Sequence, residues 1–177
     1  MCPPAETTAE TAAVKPEVAG IDIDGVLADP THRLHYLAGQ RKDWRGFFSG
    51  CGDDTPLETG IALVHQLVAD GLRIVYVSGR PERLRTVTLD WFARYDLPSA
   101  PMQLRPMGDF RPAPDWKLEV YQQIATEFDV RLIVDDDVRV VKTLTDAGFP
   151  VRFADWYQPP DSDRSRLTEA QDTEGRT

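Results

Sequence analysis

Apolar and polar positions along the chain alternate between two periods. Val18-Ala19-Gly20-Ile21-Asp22-Ile23 is a short apolar run that meets acid at its end, the pattern of a buried parallel strand. Residues 61–68 have helical spacing, and Gly71 is placed to stop that helix. A second strong strand is predicted over 72–77, closed by Ser78-Gly79-Arg80. A helix follows over 81–95, with Pro81 at a favoured first-turn position. Met102-Gln103-Leu104 reads as a short strand, 115–128 as a helix, and 131–134 as a strand that runs into Asp135-Asp136-Asp137. Residues 138–147 form a helix capped by Gly148, and Val151-Arg152-Phe153 a last strand. Strands alternating with helices imply right-handed crossovers. The predicted class is therefore α/β, a Rossmann-like three-layer sandwich around a central parallel sheet.

Composition adds boundaries to this picture. The 177 residues suffice for one domain with a real core. Residues 1–16 and 158–177 are polar and read as a flexible leader and tail, which leaves 17–157 as the folded unit. No apolar run approaches the roughly 20 residues that cross a bilayer, and no basic start precedes an apolar stretch. A cytoplasmic protein without membrane contact is expected. Cys2 and Cys51 make no disulfide framework, and Cys51 reads as a plain thiol more readily than as a reactive one. With 29 acidic and 20 basic residues the net charge is −9, so no extended nucleic-acid groove is expected, although a strand end or nucleotide could be held by a few arginines. Nothing in the sequence sets the oligomeric state.

The candidate chemistry lies where strands end. In a parallel sheet, Asp22-Ile23-Asp24-Gly25, Ser78-Gly79-Arg80 and Asp135-Asp136-Asp137 would gather at one edge. So many carboxylates repel one another unless a cation sits among them, and an all-oxygen donor set points to a hard ion, Mg²⁺. Such a site would let Asp22 attack a phosphate and let Asp24, two residues on, protonate the leaving oxygen. Ser78 and the amides after it, beginning with Gly79, could cradle phosphate oxygens, and Lys117 near a helix start could supply a fixed cation. Taken singly, Asp-Gly is a turn, Ser-Gly-Arg carries no signal, and a lysine is a surface lysine. Their order and their placement at strand ends carry the reading.

These segments resemble the haloacid dehalogenase-like (HAD) phosphatase superfamily over about residues 17–156. Asp22-Ile23-Asp24-Gly25-Val26-Leu27-Ala28-Asp29 looks like its first motif, Ser78 the second, Lys117 the third and Asp135-Asp136 the fourth. The resemblance implies Asp22 as nucleophile and Asp24 as general acid/base. It also implies Mg²⁺ held by Asp22, Asp135, Asp136 and the Asp24 backbone carbonyl. A narrower resemblance, in Val77-Ser78-Gly79-Arg80, Leu104-Arg105-Pro106-Met107-Gly108-Asp109 and the stretch around Asp135, is to the phosphatase domain of polynucleotide kinase-phosphatase. It implies Arg33 and Arg80 as substrate-side arginines. That family carries an acid four positions before its motif lysine; here Ala113 holds the place, with Asp109 or Asp115 as candidate substitutes.

Residues 29–60 are too few for a large cap and form a small lid or insert, where basic and aromatic residues interleave. Trp44 either stacks on a base or belongs to the apolar side of a covering helix. The expected substrate is a nucleotide or a nucleic-acid 3′-phosphate end. The alternatives are a sugar or other metabolite phosphate, and a non-hydrolytic binding or phosphotransfer module.

Overall fold

The computed structural model describes residues 14–38 and 40–158. Most of the expected leader and tail, including Cys2, lies outside the described residues. In chain order the elements are β1 (Glu17–Ile21), β2 (Ala28–Asp29), α1 (Trp44–Ser49), β3 (Thr55–Pro56), α2 (Glu58–Ala69), β4 (Arg73–Pro81) and α3 (Arg85–Arg94). They continue with β5 (Met102–Arg105), α4 (Ala113–Glu127), β6 (Asp129–Asp135), α5 (Val138–Asp146) and β7 (Val151–Phe153). Five strands form one sheet in the order β5-β4-β1-β6-β7, and every pairing in it is parallel.

Two-residue alternation sorts the strand side chains onto two faces. Ala19 and Ile21 of β1 join Ile74 and Tyr76 of β4 beneath Ile61, Val64, Trp91 and Phe92 of α2 and α3. Val18, Val75 and Val77 point the other way, against Trp116, Tyr121, Val140 and Leu144 of α4 and α5. Helices thus cover both faces, as the near-continuous apolar strands require. Gly20 belongs to this packing, because a Cβ there would lie 2.3 Å from the Tyr121 ring.

Three of the shifts from the predicted boundaries bear on the sheet edge. β1 stops at Ile21, so Asp22 and Asp24 do not share a strand face; the chain turns at Gly25, whose φ is 77°. β4 does not close before Ser78 but continues to Pro81. Pro81 therefore ends a strand and does not open a helix; α3 begins at Arg85 after one 3₁₀ turn. The pairing of β4 with β5 shifts register between Ser78 and Pro81, a bulge that re-aims Gly79 and Arg80.

The insert springs from a two-strand antiparallel clip, β2 with β3, that the sequence pattern did not reveal. Inside the clip, 3₁₀ turns at Thr31–Leu37 and Gly50–Asp53 flank α1. Leu34, Leu37, Trp44, Phe47, Phe48 and Cys51 form a small apolar cluster closed by Leu84. Trp91 Nε1 donates to the Asp54 carbonyl at 2.8 Å, tying the insert to α3.

Candidate active site

β1 and β6 run side by side and deliver Asp22 and Asp135 to the same edge, where the Asp22 amide donates to the Val134 carbonyl at 3.0 Å. Lys117, in the second turn of α4, reaches between them. Its Nζ donates to Asp22 Oδ2 at 2.7 Å and to Asp135 Oδ2 at 2.6 Å. The second Asp22 oxygen accepts from the Ile23 amide at 2.7 Å, and Asp135 Oδ1 accepts from the Asp137 amide at 3.0 Å. Asp137 caps α5 by accepting from the Arg139 amide, which fixes the turn that carries Asp136.

Oxygen atoms of Asp22, Asp135 and Asp136 all lie within 4.8 Å of one another. Gly25 permits this, since a Cβ on it would fall 2.1 Å from Asp136 Oδ2. Burial lifts Asp22 to about 7, with the Asp135 charge adding to the rise and Lys117 opposing it. Burial, then the Asp135 and Asp22 charges, push Asp136 well above the usual carboxylate range. Asp135 is also raised by burial, while Lys117 is held above its usual value by Asp135 and Asp22 against the cost of burial. Three carboxyl groups around one ammonium present a pocket of hard oxygen donors. The donor set fits Mg²⁺, which Asp22, Asp135 and Asp136 could hold through their side chains.

A second cluster stands beside the first. Arg80, turned inward by the β4 bulge, places Nη2 2.6 Å from Asp24 Oδ1 and 2.7 Å from Asp54 Oδ2. Arg33 from the insert sets Nη2 2.5 Å from the same Asp24 oxygen and Nε 2.7 Å from Asp54 Oδ1. Both arginines are fully buried, and the Arg33 guanidinium lies 4.3 Å from the centre of the Phe47 ring. Against the cost of burial, Arg33 and Arg80 hold the Asp24 carboxyl down to about 2. His32 Nε2 is 2.9 Å from Asp54 Oδ1.

Of the residues singled out in the sequence, Asp22, Lys117, Asp135 and Asp136 come together directly, and Asp24, Arg33 and Arg80 form the adjoining network. Ser78 is buried at the end of the straight part of β4, and its Oγ accepts from the Arg80 amide at 3.3 Å. Trp44 is 6% exposed, packed in the insert cluster with its ring 5.9 Å from Phe48, and one edge of it borders a surface cleft that Gly79 also lines. Neither proposed substitute for the acid at Ala113 bonds Lys117: Asp109 is held by Arg111 and Asp115 is exposed. Burial raises the Cys51 thiol, a wholly buried member of the insert core.

Asp54 is the residue that sequence reasoning missed. It sits in Gly52-Asp53-Asp54-Thr55-Pro56, which reads as a turn. Only the assembled fold shows it wholly buried, with both oxygens on arginines.

A parallel sheet with a carboxylate cluster, a bridging lysine and a small insert at its carboxyl edge defines a HAD-type phosphatase domain. Residues 16–153 match the model of the polynucleotide kinase PNKP phosphatase domain, and the chain belongs to that family. Comparison with curated proteins gives no match. Among solved structures, a chain of the Pnkp1/Rnl/Hen1 complex shares the fold at 20% identity and a TM-score of 0.68, covering 88% of this chain and 51% of its own. The chain thus spans about half the length of that relative. A class C acid phosphatase from Bacillus anthracis with tungstate bound aligns at 17% identity and a TM-score of 0.58, covering 90% of this chain and 79% of its own. A putative phosphatase from Clostridium difficile aligns at 14% identity and a TM-score of 0.59, covering 85% and 90%.

Proposed function

We propose that the protein hydrolyses a phosphate monoester through a covalent phosphoaspartate on Asp22. The observation that carries this is the Lys117 ammonium between Asp22 and Asp135, 2.7 and 2.6 Å away, with Asp136 beside them. Lys117 fixes the Asp22 carboxylate in place and offsets charge on an incoming phosphate. Mg²⁺, held by Asp22, Asp135, Asp136 and the Asp24 carbonyl, would neutralise phosphate oxygens and keep Asp22 ionised and able to attack.

In this reading Ser78 and the Gly79 amide, next to Arg80, hold the transferred phosphate. Asp24 is ionised while Arg33 and Arg80 both bond it. A phosphate dianion competes for those arginines, and as their bonds pass to the substrate Asp24 becomes able to carry a proton. It then delivers that proton to the leaving oxygen and later takes one from the water that opens the phosphoaspartate.

The substrate is a nucleotide or a nucleic-acid 3′-phosphate end. Family membership favours the strand end, as does the presence of the similar Pnkp1 chain in what is described as an RNA repair complex. The net charge of −9 favours contacts confined to the terminus.

The test is phosphate release from an aryl phosphate with Mg²⁺. The wild type should turn over, and Asp22→Asn should release none while keeping its thermal midpoint within a few degrees. Equal activity in the two proteins would remove Asp22 as nucleophile.

A further inference from the structure

The cleft bordered by Trp44 lies outside the catalytic clusters. Its volume is about 250 Å³, and it opens between the insert and the loop after β5, with Trp44 and Phe48 on one side and Met107 and Phe110 on the other. Gly79, between Ser78 and Arg80, lines it too, so the cleft adjoins the place assigned to the phosphate. Its polar residues are Arg83, Arg105 and Asp109. Asp109 is occupied by Arg111, whose Nη2 lies 2.7 Å from Asp109 Oδ2.

Arg105 is the unusual one. Its side chain is 5% exposed, lies 5.0 Å over the Trp116 ring, and gives one hydrogen bond, from Nη1 to the Arg111 carbonyl at 2.6 Å. Its nearest carboxylate oxygen, on Asp109, is 3.9 Å away. Nε and Nη2 are buried and have no hydrogen-bond partner among the described residues. Burial lowers its pKa to about 10, so at neutral pH it is charged. A buried cation with two idle donors is costly unless a ligand completes it.

We infer that this cleft is a second substrate subsite, in which Arg105 binds the internucleotide phosphodiester next to the phosphorylated end while the apolar walls take the adjoining base. The inference rests on the phosphatase reading of the neighbouring site. A planar apolar group beside an anion, one step from a phosphate monoester, is the chemistry of an oligonucleotide terminus. Trp44 then serves both as packing within the insert and as a wall of the cleft.

The experiment compares KM for four substrates: an aryl phosphate, a 3′-mononucleotide, a 3′-phosphorylated dinucleotide, and the same dinucleotide with an uncharged methylphosphonate linkage. The wild type should favour the charged dinucleotide over the other three. Arg105→Ala should reduce kcat/KM for that substrate relative to the aryl phosphate by about 10–100-fold, the loss of a charge-assisted contact. Arg105→Lys should recover part of it. Met107→Glu, a change at a residue 67% exposed on the rim, should weaken the same preference without threatening the fold. Equal KM for mononucleotide and dinucleotide, or an equal loss on every substrate in Arg105→Ala, overturns the subsite and leaves the phosphatase reading standing. No turnover of any monoester overturns both.

Discussion

Arg33 has no surface left to solvent, yet it carries a charge, and its guanidinium answers Asp24 and Asp54 together. Buried charges persist only when paired, and removing one partner strands the others. Arg33→Ala should therefore lower stability by about 3–5 kcal/mol, read from urea unfolding, as well as weakening substrate binding. Gly25 is constrained by two independent facts, a φ of 77° and the Asp136 carboxylate 2.1 Å from where a Cβ would stand. Gly25→Ala should displace Asp136 and cost about 100-fold in kcat while the protein still folds; steady-state kinetics with circular dichroism checks both. At this scale Asp22, Asp24, Ser78, Asp135 and Asp136 were legible because each lies where an apolar strand ends, and Lys117, on a helix, only through its place in their order. Asp54 was not, since its burial depends on two arginines, 21 and 26 residues away in sequence, that converge on it only after folding.

Elements repeat the lesson in another form. The order of the five sheet strands and of the helices between them followed from periodicity, because the central strands β1 and β4 are buried on both faces and the helices pack apolar residues against them. Ends were harder. A proline tolerates both a strand terminus and a helix first turn, so Pro81 could not decide where β4 stops; its pairing with Arg105 on β5 decides it. The clip of β2 and β3 is two residues a side, too short for any period to show. The insert coheres through its aromatic cluster, with Trp44 edge-on to Phe47 and stacked near Phe48. Trp44→Ala should cost about 3–5 kcal/mol in chemical denaturation, whatever it does to KM; unchanged stability would show that the cluster does not hold the insert.

Over the whole molecule the first and the third of the strand-end clusters meet at the sheet edge, in Asp22, Asp135 and Asp136. Saturating Mg²⁺ should raise the thermal midpoint by roughly 5–10 °C, and Asp136→Asn should remove most of that rise; calorimetry with and without the ion gives the answer. No helix among the described residues is long and apolar enough to cross a membrane. The bond between Arg33 and Asp24 joins the insert to the turn after the first strand, and Asp54 joins the insert to the bulge of the fourth. Those links make the insert a keystone more than a door. On the proposed mechanism, its folding and the assembly of the proton-transfer site would be one cooperative event. Heat or denaturant would then not loosen it and leave a competent but unselective enzyme behind; partial unfolding would silence the protein before it could act on the wrong ester.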